Sequence, residues 1–439
     1  MLKHMAVKLI SSKLHCIKFM NRHISNPKDF TRHRKLTFYD VITLILCKSV
    51  KSLQLVLNEF ISRACKNFTI TASAFTQARQ KLSYTAFIEL NNDIVNLYYS
   101  EKEHQISTYK GYRLLGFDGS KINVPMNTEN ISEFGCKNVG NDCSKKIGTC
   151  VQTTYEVCYD ILNNIAIDGI LDKGSIYEAT LAGKLLNSME AKDIGIFDRA
   201  YGSYNLMAEM IKQNKHFVIR CQRSSFIEAQ ELYESNEPIL SKVVTLRPAY
   251  KNLGKIKKTT LPDKVKVRLL KFTLSNNEPE VLVTSLIDEN TFSIEDIKNI
   301  YGLRWGVKTF FGKLKGRLNI ENFTGKNLNS IKQDIWSTIF LSNLETIMTE
   351  DIDCELKLNT SAKGIKQQKI NKAISFNAIK AKAFDLFYHE SNHEKIIEEL
   401  AKLFLLNRHC VRSGRTAPRQ KRSGYKKWSF HKYVKKRVF

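Results

Sequence analysis

The chain has no CxxC pair among its ten cysteines. Cys136, Cys143, Cys150 and Cys158 come nearest to a cluster, but spacings of seven or eight residues fit neither a zinc ribbon nor a finger. Free buried thiols in a reducing cytoplasm are the expectation that follows. No apolar run approaches the ~20 residues of a membrane span. The first residues, MLKHMAVKLISSKLHCIKFMNRH, are broken by lysines every few positions, which excludes the continuous apolar core of a secretory signal. No heptad marks a dimerising coiled coil. Acids are scarce too: 43 Asp and Glu face 69 Lys and Arg, leaving a net charge of +26. Such an excess, spread along the chain and concentrated at its C-terminus, is the footprint of a nucleic-acid partner. At 43% hydrophobic residues and 439 positions, the chain is globular, with room for several domains.

What is present changes period along the chain. After a basic segment, 1–35, residues 36–105 read as a helical domain, in which LTFYDVITLILCKSV and AFIELNNDIVNLYY carry apolar residues at helical spacing. Thr71 or Ser73 caps a short helix bearing Gln77, Arg79, Gln80 and Lys81, residue types that reach phosphates and base edges. From 106 to 220 the pattern becomes strand and helix in alternation. GYRLLGFDGSKINVP is an apolar strand running into Asp118-Gly119. TCVQTTYEVCYDIL and NNIAIDGIL form a hairpin turned at Asn163-Asn164, and KDIGIFD is a short strand ending in Asp198. Carboxylates just past strand ends stand where open sheets place their ligands. Residues 221–292, with KVKVRLLKFTL and EVLVTSLI, read as a β-rich insertion between basic connectors.

Residues 293–390 open with a Ser293/Asp296 capping box, and one continuous helix is expected to run through YGLRWGVKTFFGKLK, residues 301–315. On it Ile300, Leu303, Val307, Phe310, Phe311 and Leu314 share an apolar arc, with Tyr301, Arg304, Lys308 and Lys315 on the adjoining one. NLNSIKQDIWSTIFLSNLETIM is a further apolar helix. Residues 391–439 comprise a helix and a basic tail with Tyr425, Trp428, Phe430 and Tyr433 interleaved. His389 to His393 fits H-E-x-x-H. Ser391 and Asn392 read better as caps, however, and no acid follows Glu399 to complete a zinc site.

Tyr301, Arg304 and Lys315 match the Y-x2-R-x3-E-x6-K signature, and the chain thereby resembles the insertion-sequence-four type of DDE transposases. DRAYGSYN, from Asp198, resembles that family's second catalytic segment, often D-R-G-Y. With FTRHRKLTF and SGRTAPR, the resemblance spans roughly residues 28–420. It implies an α/β fold: an RNase H-like catalytic core interrupted by the β-rich insertion, preceded by an α-helical DNA-binding domain and followed by the basic tail. It further implies metal-dependent nicking and strand transfer on the double-stranded DNA of element ends and targets, by a homodimer in the cytoplasm, without membrane contact. Asp118 and Asp198 would be acidic ligands of Mg2+ or Mn2+, while Tyr301, Arg304, Lys315 and Arg199 would touch phosphates.

One position departs from the signature. Where the family has its catalytic glutamate, this chain has Lys308, which adds positive charge and removes two oxygen donors. Glu321, the nearest downstream acid, lies 13 residues on, beyond Gly316. The expectation is retained fold and DNA affinity with little cleavage, or a non-catalytic DNA-binding protein on a transposase scaffold.

Overall fold

A computed structural model describes residues 1–32, 34–47, 51–102, 105–139, 148–248, 261–274, 277–363, 367–388 and 393–411. The H-E-x-x-H stretch up to Asn392, the basic tail with its aromatics and SGRTAPR, and most of the connector at 249–260 lie outside those residues. Two compact units emerge, one from Met1–Glu103, Asn123–Val151 and Leu314–Phe439, the other from His104–Ile122 and Gln152–Lys313.

The second unit is built on a mixed sheet. Its strands are β1 (Arg113–Val124), β3 (Gly148–Asp160), β4 (Ile165–Lys173), β5 (Asp193–Phe197), β6 (His216–Arg220), β7 (Leu240–Leu246), β8 (Val265–Thr273) and β9 (Pro279–Thr284). β4 pairs with β3, and the order continues β3-β1-β5-β6-β9-β8-β7. β1, β5 and β6 are parallel neighbours. All five residues of β5 are buried, as in a strand covered on both faces. The β3–β4 hairpin turns at the expected asparagines, with Asn164 at φ 57°, a left-handed conformation that asparagine tolerates. Helices Glu178–Leu185 and Tyr204–Lys212 lead into β5 and β6, and they bury Leu185, Met207 and Met210 against Phe117, Phe197 and Phe217. At the base of β1 and β5, Arg113 donates two 2.7 Å hydrogen bonds to Asp193, both side chains being buried.

Residues 221–292 do not form a separate layer. β9 pairs antiparallel with β6, Val218 opposite Thr284, so β7 to β9 extend the same sheet, joined by the helix Ile227–Glu234. The expected single helix after Ser293 is also corrected. The capping box is present, but one helix covers Ile294–Gly302 and another Trp305–Gly316. Between them the bonds tighten to i→i−3, Arg304 N–H to Tyr301 O at 3.0 Å and Gly306 N–H to Leu303 O at 2.8 Å. The break rotates the faces: Leu303 turns outward, while Tyr301 and Arg304 become buried. The second helix then lies close on the β3–β4 hairpin. A Cβ at Gly306 would stand 2.7 Å from Ile161, and the Phe310 ring stacks on Tyr159 at 4.5 Å.

The first unit is helical. The helix Leu328–Lys363 is buried on nearly every face over 331–349, as expected of a central helix. Thr85–Glu101, Phe38–Leu46 and Leu2–Leu14 pack around it. The expected boundary near 35 is therefore absent: Ala6, Val7, Ile10 and Leu14 of the basic N-terminal segment belong to this core. β2 (Cys136–Val139) pairs antiparallel with the first residues of β3. The described cysteines are unpaired, Cys158 and Cys221 being buried but Cys65, Cys136, Cys354 and Cys410 exposed. Among the described residues no helix is long and apolar enough to cross a membrane.

Candidate active site

The register of the two central parallel strands brings the sequence's two aspartates together. The parallel register runs from Arg113 opposite Asp193 to Gly116 opposite Ile196; Asp118 lies two residues beyond it on β1 and Asp198 just past the end of β5, within electrostatic reach of one another. Phe117 and Phe197, one residue earlier, stack at 4.7 Å on the other face of the sheet and so hold the two backbones in step. Asp198 caps the turn Arg199–Tyr201, accepting from the Ala200 N–H at 2.7 Å. Asp118 is 8% exposed and makes no hydrogen bond among the described residues. Its carboxyl is pushed up to about 6, chiefly by burial and further by Asp198 and Glu178, while Lys308 and Arg304 act in the opposite direction. Lys308 thus stands within electrostatic reach of Asp118. Its ammonium also lies 5.7 Å from the centroid of the exposed Trp305 ring.

Arg304 carries the clearest sign of a missing partner. It is 7% exposed, its guanidinium lies 5.4 Å from the Tyr301 ring and 5.5 Å from Trp305, and its Nε and Nη1 donate to nothing among the described residues. The Tyr301 hydroxyl is likewise buried without a hydrogen bond, and burial pushes it up to about 12. Buried donors in native proteins find partners, so these point to an anionic ligand. Nearby, Arg220 pairs with Glu280 at 3.2 Å. A cavity of about 640 Å³ is lined by Arg199, Arg220 and Arg223 with Gln222 and Tyr233.

Two further acids belong to this group, and sequence reasoning missed both. Glu156 on β3 is fully buried. Its Oε1 accepts from the Tyr201 hydroxyl at 2.8 Å, and its Oε2 has no partner. Glu178 begins the helix after β4, its carboxylate 4.0 Å from the Lys121 ammonium. A Cβ at Gly119 would meet Glu156 Oε2 at 2.7 Å and Glu178 Cδ at 3.1 Å, so glycine beside Asp118 makes room for both. The available signal was an acid inside the apolar alternation of TTYEVCYD; Glu178, a first-turn helical acid, gave none.

Burial, ahead of the neighbouring Glu178 and Asp118 charges, pushes the Glu156 carboxyl up to about 9. Since the unfolded group titrates near 4.5, the fold keeps a proton that the unfolded chain releases, and stability falls as pH rises from about 4.5 to about 9. At pH 7 the cost is about 3 kcal/mol. Glu156→Gln is expected to raise stability at pH 7 by about 1–3 kcal/mol and to flatten the slope above pH 6, leaving the Asp118 contribution below it. Urea denaturation at pH 5, 7 and 8.5 measures this.

The remaining sequence candidates lie elsewhere. Arg199 and Lys315 are exposed, Lys315 in the helical unit. Lys81 pairs with Asp29 at 3.1 Å and helps line a cavity of about 820 Å³ with Lys28, Arg32, Arg34 and Lys35. Arg79 corrects the expectation of a phosphate contact. It is 2% exposed and donates to Gln333, Thr324, the Ser330 carbonyl and Asp334 at 2.6–2.9 Å, so it is a strut of the helical core. Glu321 accepts from both the backbone and the side chain of Asn123.

Asp118 and Asp198, which interact electrostatically, offer hard oxygen donors, which fits Mg2+ or Mn2+. Among the described residues no three His, Cys, Asp or Glu side chains converge to enclose an ion. The present geometry therefore provides two protein carboxylates, a set such cations accept when phosphate and water complete the shell.

Residues 109–344 match the family described as the transposase DDE domain. Among solved structures, the cryo-EM structure of the piggyBac transposase synaptic complex with hairpin DNA is similar, at a TM-score of 0.44 and 13% identity, covering 92% of this chain and 85% of that one. No curated protein matches.

Proposed function

The chain belongs to the transposase DDE domain family, and from that premise we propose that it binds the ends of an insertion sequence and nicks and joins their strands. The observation that carries this reading is the approach of Asp118 on β1 to Asp198 just past its parallel neighbour β5, beside a buried Arg304 whose donors await an anion. The strand order β4-β3-β1-β5-β6 supports an RNase H-like core, and the Tyr301, Arg304, Lys315 spacing supports the insertion-sequence-four type.

Asp118 and Asp198 would hold Mg2+ or Mn2+, which supplies activation of the attacking hydroxyl and neutralises charge on the leaving oxygen. Arg304 Nε and Nη1 and the Tyr301 hydroxyl donate to the non-bridging oxygens of the phosphate under attack. Arg199, Arg220 and Arg223 hold the backbone beside the cut, and Lys315 contacts phosphate as the signature implies. The cavity lined by Lys81, Lys28 and Arg34 holds duplex by its phosphates. Residues 36–105 bind DNA within the helical unit, and two copies of the chain bring two ends together.

A second reading has its own observation. Lys308 places a cation where the family signature has an acid, which fits a DNA-binding protein without cleavage. A labelled duplex bearing the element's terminal repeats, incubated with Mg2+ or Mn2+, separates the two. Metal-dependent nicking that falls at least 100-fold in Asp118→Asn, with duplex affinity kept within a few fold, is expected. Binding without nicking by the unaltered chain decides for the second reading.

A further inference from the structure

We propose that Glu178 is the third carboxylate of this site, turning inward to bind the divalent cation beside Asp118 and Asp198 and taking the role that a glutamate at position 308 would have. This rests on the metal-dependent reading above. The Glu178 side chain lies against the backbone next to Asp118: its Cγ and Cδ come within 3.1 Å of the Cβ position at Gly119. Charge interactions connect it with Asp118, Asp198 and Lys308. Apart from the 4.0 Å approach of Lys121, nothing among the described residues holds its carboxylate, and it is partly exposed, so rotation about its side-chain bonds breaks no hydrogen bond.

Two buried groups show that a ligand is missing from this corner. Glu156 Oε2, fully buried and without a partner, meets the same point beside Gly119 as Glu178 does. Arg304, also buried, leaves two donors unused on the side of Asp118. A phosphate held by Arg304 would satisfy its two donors. Glu280, by contrast, is committed to Arg220 at 3.2 Å.

Mn2+ binding to the full chain without DNA, followed by the loss of the free-ion electron paramagnetic resonance signal, tests this apart from catalysis. The unaltered chain is expected to bind, and Glu178→Gln to bind at least tenfold more weakly, in 0.1 M and in 0.5 M KCl alike. A merely electrostatic contribution is screened at the higher salt, whereas a lost ligand is not. Glu178→Asp should fall between, and unchanged circular dichroism spectra would show that both variants fold. If Glu178→Gln binds as well as the unaltered chain while Asp118→Asn does not, Glu178 is no ligand and the metal site stands without it. If the unaltered chain does not bind, or Asp118→Asn leaves binding intact, the metal-dependent reading and the role of Glu178 both fall.

Discussion

Arg79→Leu is expected to lower the stability of the helical unit by about 3–5 kcal/mol, because the change takes the guanidinium from a buried carboxylate. Asp334 is wholly enclosed, and besides Arg79 it accepts from the Thr324 N–H at 2.7 Å, so the pair ties the turn before the central helix to the short helix Ala72–Gln80. Arg79→Lys should recover little, since one ammonium cannot reproduce a guanidinium that reaches Gln333, Thr324, Ser330 and Asp334 together. Urea denaturation followed by circular dichroism measures the loss. DNA affinity should fall only where the chain unfolds; loss of DNA binding by a variant of unaltered stability would restore Arg79 to the phosphate-contacting residues.

Lys308→Glu is expected to tighten Mn2+ binding at least tenfold and to increase nicking of a terminal-repeat duplex. The change moves the local charge by two units next to a dication, and at an effective dielectric of about 20 each unit is worth on the order of 1–4 kcal/mol. What the fold gives up is small. The ammonium's contact with the exposed Trp305 ring, at 5.7 Å, is worth about 0.5–1 kcal/mol. The same substitution should also offset Glu178→Gln by returning a third carboxylate from the helix Trp305–Gly316. Unchanged or weaker Mn2+ binding in Lys308→Glu would mean that residue 308 does not face the cation, and the electrostatic account of it would be wrong.

Sequence alone located the elements that depend on local chemistry. The Ser293/Asp296 capping box, the Asn163-Asn164 turn and the apolar strand ending at Asp198 are each specified by residues within a few positions of one another, and each is present; the turn expected at Asp118-Gly119 is not, because β1 runs on through Asp118 to Val124. Membership of the transposase DDE domain family was legible for the same reason. Periodicity says which residues share a face but not what covers that face. Arg79 looked solvent-facing because its four partners lie about 250 positions away. Residues 301–315 looked like one helix because the apolar spacing crosses the break, whereas close packing of Gly306 on Ile161 is a tertiary demand. Residues 221–292 read as a β-rich insertion, but strand alternation does not reveal which edge a strand will join, and β9 adds to the edge at β6. Glu156 and Glu178 became visible only when β3 and the helix after β4 were folded against Gly119. The chain order thus determined a pair of aspartates and their scaffold; the acids and the unsatisfied arginine around them were decided by burial, which only the assembled sheet creates.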